Sequence, residues 1–192
     1  MLNGKCALLI IDVQKAFEDK KWGERNNPNA EESIEQILSV WRNLGWDIIH
    51  VQHKSNKVDS VFHPNHAGFQ IKEIVKPIKD EVVIEKTVNS AFIGTDLENL
   101  LKEKQITQVV VTGLTTPHCV STSTRMSGNL GFDTFLVSDA TAAFGLKGHD
   151  GRYYRPEEVH DVSLVALNEE FATILTTNEL IAKLKMEKFG VF

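Results

Sequence analysis

Short, largely apolar runs, separated by longer amphipathic stretches, constrain this chain more than any other feature. Cys6–Ile11 is six apolar residues in a row, and Ile48–Val51, Val82–Ile84, Val109–Val111, Thr134–Val137 and Ala172–Leu175 are five more short, largely apolar runs. A continuous apolar run of that length suits a strand buried on both faces, because alternation is lost once neither face meets water. Between the runs lie helical patterns. Ile34, Ile37, Leu38, Trp41 and Leu44 recur at helical spacing within Ala30–Leu44, and Gly45 supplies the stop. Thr95-Asp96-Leu97-Glu98 reads as a capping box opening a helix to about Lys102, and a helix is expected from about Cys119 to Asn129. Pro156 fits the first turn of a further helix to about Asn168, and Thr176-Thr177-Asn178-Glu179 caps a last one. Alternating strands and helices predict an α/β fold of three layers, with a six-stranded, mainly parallel sheet, strand one central, and helices on both faces. No repeat or linker divides the 192 residues, so residues 1–192 are expected to form one domain.

Composition narrows the partners. The formal net charge is −5 and no basic block occurs, which disfavours nucleic acid and anionic membrane surfaces as ligands. The apolar run near the N-terminus is too short for a signal peptide, and no stretch approaches membrane-spanning length. Two cysteines cannot build a disulfide framework. The expectation is a cytoplasmic protein acting on a small molecule.

In open α/β sheets, ligands bind beyond the carboxyl ends of the strands. Strand one ends in Asp12, strand three in Lys86, and strand four leads through Gly113-Leu114-Thr115-Thr116-Pro117-His118 to Cys119. The topology therefore brings an acid, an amine and a thiol to one sheet edge. Taken singly, Asp12 reads equally as a turn cap and Lys86 as a solvated strand end; their convergence carries the argument. Cys119 stands where a loop becomes a helix, and a helix N-terminus beside an ammonium favours thiolate over thiol. Cys6, inside an apolar run, reads as a buried small hydrophobe. Phe17, Trp22, Phe62, Phe92 and Phe144, with His118, fall near the same edge and are candidates for pocket walls. His53, His63 and His66 share one region, but their irregular spacing reads as surface or pocket histidines and not as a metal set. No nucleophile elbow, dinucleotide fingerprint or Walker loop is present.

The stretches ALLIIDVQKAF, KTVNSAFIGTDLENLL, VVVTGLTTPHCVSTSTRMSGNLGF and VSDATAAF together resemble the isochorismatase-like cysteine hydrolases, over nearly the whole chain. The resemblance implies Asp12 as acid/base, Lys86 as catalytic lysine and Cys119 as nucleophile. It also implies an oxyanion hole from the backbone N–H groups of Thr115 and Cys119, with a cis peptide between Leu114 and Thr115. The retained cysteine favours C–N bond hydrolysis of an amide, lactam or ureide through a thioester. The alternatives are vinyl-ether cleavage and a non-catalytic binder on the same fold. Gln52-His53-Lys54-Ser55 stands where nicotinamidases of this superfamily carry a metal-binding Asp-x-His, so neither a metal nor a cofactor is expected. The Lys21–Asn27 insert is expected to shape the pocket. Relatives commonly associate, which implies a homo-oligomer.

Overall fold

In the computed structural model, which describes residue 2 and residues 5–189, the six runs form the six strands of one sheet, with those of Val82–Ile84 and Ala172–Leu175 at its edges. The remaining residues, at positions 1, 3, 4 and 190–192, lie outside the described ones. The strands are β1 (Cys6–Ile11), β2 (Ile48–His53), β3 (Val82–Lys86), β4 (Gln108–Leu114), β5 (Asp133–Ala142), the small pair β6 (Leu146–Lys147) and β7 (Tyr153–Tyr154), and β8 (Thr173–Leu175). The main sheet has the order β3-β2-β1-β4-β5-β8, and all five neighbouring pairs are parallel. Strand one is internal, as the unbroken burial of its six residues requires.

The helices are α1 (Ala30–Leu44), α2 (Leu97–Glu103), α3 (Ser121–Asn129), α4 (Pro156–Val165) and α5 (Thr177–Phe189). Alternate residues of β1 serve opposite layers. Cys6, Leu8 and Ile10 pack with Ile34, Ile37, Leu38 and Trp41 of α1 and with Leu180 and Leu184 of α5. Ala7, Leu9 and Ile11 pack with Leu97 and Leu101 of α2 and with Val120 just before α3. The three-layer expectation holds. Among the described residues, no helix is long and apolar enough to cross a membrane.

Local expectations met two corrections. Thr95 does not form a capping box: its Oγ1 donates to the Ala91 carbonyl, and Glu98 pairs with Lys102 one turn on. Thr176 does form one with Glu179, each side chain accepting from the other's backbone N–H. The helix expected from Cys119 begins only at Ser121, after a π-helical turn over Thr116–Val120.

Two features set the edge where the strands end. Gly113 has φ +119°, and a Cβ there would stand 2.0 Å from the Ile11 carbonyl oxygen, so only glycine lets β4 pass this close to β1. The segment before α1 is fixed by charge: Glu31 accepts from Arg25 and from Lys72 Nζ at 2.9 Å. Although burial opposes ionisation, these two cations hold the Glu31 carboxyl down at about 2.

Gly113→Ala should cost roughly 3 kcal/mol or more of unfolding free energy, since it adds both a forbidden dihedral and a backbone clash. Urea denaturation showing a loss under about 0.5 kcal/mol would contradict this close approach. For Glu31, a carboxyl lowered by folding stabilises the protein above its ordinary pKa and loses that contribution as pH falls through its folded value. The stability gap between wild type and Glu31→Gln should therefore be full above pH ~4.5 and close as pH falls toward ~2. A gap that is flat across that range in parallel denaturation series would show that the ion pair does not act as described.

Candidate active site

At Asp12 the chain leaves β1 in a left-handed turn, φ 51°, still bonded to β2 through Asp12 N–H donating to the Val51 carbonyl at 2.8 Å. Two residues on, Gln14 is fully buried and ties the two strand ends together. Its Nε2 donates to the carbonyls of His53 and Phe69, and its Oε1 accepts from His53 N–H at 2.8 Å. Lys86 closes β3, in register with His53 of β2. Its side chain crosses the end of β2 to reach Asp12, and it is buried along its whole length.

The Lys86 nitrogen is the centre of the site. It lies 2.7 Å from Asp12 Oδ2, 3.1 Å from His53 Nδ1 and 3.3 Å from Cys119 Sγ. An ammonium has three N–H donors and no acceptor, so each hydrogen meets one partner. His53 Nδ1 must then accept, which places the ring proton on Nε2. Desolvation, helped by the Lys86 charge, lowers the His53 pKa to about 4, so the ring is neutral near pH 7. Asp12 Oδ1 is buried and has no hydrogen-bond partner among the described residues.

Burial also raises both acids of the cluster. It pushes the Asp12 carboxyl above the usual carboxylate range, against the pull of the ammonium beside it. It pushes the Cys119 thiol up to about 12, reinforced by the Asp12 charge. By sequence, a helix start and an ammonium favour thiolate over thiol; the net direction at Cys119 is the opposite. Lys86 is close enough to lower the thiol's pKa, but desolvation and the neighbouring carboxylate outweigh it, and the residue sits in the π turn ahead of α3.

A cavity of about 410 Å³ opens over Asp12, Thr115 and Cys119, within the range of small-molecule sites. Lys86 lies beneath it. Phe17, Trp22, Phe62 and Phe144 form one wall, with Phe17 ring contacts of 5.5, 5.3 and 6.0 Å to the other three. His118 also lines it and pairs through Nδ1 with Thr115 Oγ1 at 3.0 Å. The Leu114–Thr115 peptide bond is cis.

Phe92 is a correction: it lies in the core against Phe132, ring centroids 6.2 Å apart, and not on the cavity. His63 and His66 use Nδ1 to accept from the N–H groups of Asn65 and Gly68 in their own turns. His53 is the site residue that spacing did not single out, together with Asn89 and Pro117 on the cavity lining. Its only sequence signal is that it ends β2, beside the strand that ends in Asp12. Of the Lys21–Asn27 insert, Lys21 and Trp22 reach the cavity, while Arg25 bridges to Phe144.

A family model, the isochorismatase domain, matches residues 6–179. The isochorismatase family protein YrdC of Bacillus subtilis is 64% identical over 94% of this chain and 96% of its own length. Nicotinamidase 3 of Arabidopsis thaliana is 31% identical over 91% of this chain and 86% of its own. A crystal structure of an isochorismatase-family protein from Chromobacterium violaceum superposes with a TM-score of 0.94 at 38% identity, covering 96% of both chains. Sheet order, the acid, lysine and thiol at one edge, and these matches agree: the chain belongs to the isochorismatase family of hydrolases.

Proposed function

We propose that this protein is a cysteine hydrolase that cleaves a C–N bond of a small amide, lactam or ureide through a thioester. The observation that carries the reading is the Lys86 nitrogen, bonded at once to Asp12 and Cys119 beneath one cavity. The likeness to a nicotinamidase supports amide chemistry for the same arrangement.

At rest the sulfur is a thiol, since burial pushes its pKa up to about 12. A buried carboxyl with a raised pKa is a better base than one in water, so the gap that a proton must cross from Sγ to Asp12 is narrowed from the carboxylate side. As the thiolate forms, Lys86 faces it with a positive charge at 3.3 Å. Sulfur attacks the carbonyl, and the N–H groups of Thr115 and Cys119 receive the oxyanion; donors of this kind contribute about 3–4 kcal/mol each where they have been removed singly. Asp12 returns the proton to the departing nitrogen. Water, deprotonated by Asp12, then releases the acid from the thioester.

Cys119→Ala should lower turnover by at least about 10³-fold while leaving the thermal midpoint close to wild type, because a small thiol at a cavity edge contributes little packing. Asp12→Asn should cost at least about 100-fold, the usual contribution of a positioned base. The assay is release of ammonia or amine from a panel of small amides and ureides, with Cys119→Ala as the blank. Turnover by that variant comparable to wild type would overturn the reading. Activity should also survive exhaustive chelation, since the ammonium already supplies positive charge at the thiol. Loss of activity to chelator with recovery on adding zinc would point instead to a metal hydrolase.

A further inference from the structure

Lys86 is surrounded by an unusual set of partners for a lysine. The donor atoms of Asp12, His53 and Cys119 all lie within 4.8 Å of one another, and the ammonium nitrogen stands among them. A carboxylate oxygen, an imidazole nitrogen and a thiolate sulfur are the donors that zinc takes in tetrahedral sites with one position open. We propose that Asp12, His53 and Cys119 form a latent three-ligand site for a borderline divalent cation such as Zn²⁺, held closed because the Lys86 ammonium occupies its centre.

The geometry supports the exchange. The nitrogen lies 2.7 Å from the oxygen, 3.1 Å from the imidazole nitrogen and 3.3 Å from the sulfur. Zinc needs about 2.0–2.2, 2.0–2.1 and 2.3 Å to the same atoms, so each ligand must move inward by only about 1 Å or less. His53 Nδ1, lacking a proton because it accepts from Lys86, already presents the lone pair a metal requires. Gln14 holds the His53 backbone through both its N–H and its carbonyl, which fixes one ligand relative to the end of β1. Asp12, His53 and Cys119 all line the cavity, so the three ligands are within reach of a ligand entering from it.

The two cations exclude each other, since they require the same point and repel. On binding, zinc takes the sulfur as thiolate and its proton leaves to solvent; Lys86 must withdraw from the centre. In the unsubstituted protein the tethered ammonium, present at very high local concentration, wins this competition. Lys86 thus guards the nucleophile against metal capture in addition to its part in the hydrolytic site.

Removing the lysine opens the site and leaves Asp12 as a buried charge without its partner, so a metal that binds there should also restore stability. Lys86→Met and Lys86→Gln, both as full chains freed of metal, would be titrated with Co²⁺, whose thiolate charge-transfer absorption reports a Co–S bond, and with Zn²⁺ in competition. Expected are one Co²⁺ per chain with that absorption, affinity at least about 100-fold above wild type, and a zinc-dependent rise in thermal midpoint that wild type lacks. Adding His53→Ala should weaken binding at least about 10-fold, and adding Cys119→Ser should abolish the absorption. A variant that cannot fold alone still decides the matter, because zinc occupying the site would restore its fold. The proposal is overturned if both variants show neither the absorption nor a zinc-dependent gain in stability. It is equally overturned if wild type binds cobalt as tightly as they do, or if His53→Ala leaves the affinity unchanged.

Discussion

The ion pair between Asp12 and Lys86 is the interaction on which the rest of the site depends. Both groups are 1% exposed, and withdrawing each from water costs several kcal/mol unless geometry and further hydrogen bonds offset it. The structure meets this demand with a 2.7 Å contact and two more acceptors on the same nitrogen. It also explains why a lysine occupies the end of β3. Strands β3 and β1 are separated by β2, so their ends stand about 9–10 Å apart at ordinary strand spacing. Only a long stem carries a positive charge across that gap, and the stem is itself apolar enough to lie buried over the end of β2.

The dry surroundings that make this pair costly also set the chemistry. The same desolvation raises the Asp12 carboxyl, raises the Cys119 thiol to about 12 and lowers His53 to about 4. Thiol and imidazole therefore stay neutral near pH 7. In the proposed mechanism, reactivity is then tied to occupancy: the thiol yields its proton where a carbonyl is present to receive the electrons and N–H groups to receive the charge. The aromatic wall contributes by keeping the cavity apolar, and it is assembled from separate connections after β1, after β2 and after β5.

His53 illustrates how one side chain can belong to several networks. Its backbone is clamped by Gln14, its Nδ1 completes the ammonium's coordination, and its ring meets Phe62 edge-on at 5.2 Å. A change at this position would therefore act on the wall and on the charged cluster together.

The amino-acid order by itself determined the layers, the parallel sheet with β1 inside it, and the placement of Asp12, Lys86 and Cys119 at one edge. Each of these follows from short-range facts: the unbroken apolar run of β1 buries on both faces, and parallel strands carry their C-terminal residues to the same side. The cis bond at Leu114 was legible only through resemblance to known sequences, because no local pattern announces it. Tertiary structure decided the rest. Phe92 and Phe62 are both aromatic and both near the edge, yet one packs on Phe132 and the other faces the cavity. Thr95 and Thr176 head the same pattern, but only the second caps its helix, since Ala91 and Lys102 draw the first pattern's side chains elsewhere. The direction in which the thiol's pKa moves was not legible in the sequence for a related reason. A helix start and a nearby lysine are visible in the chain, whereas desolvation is a sum over every neighbour the fold brings in, and here that sum outweighs both.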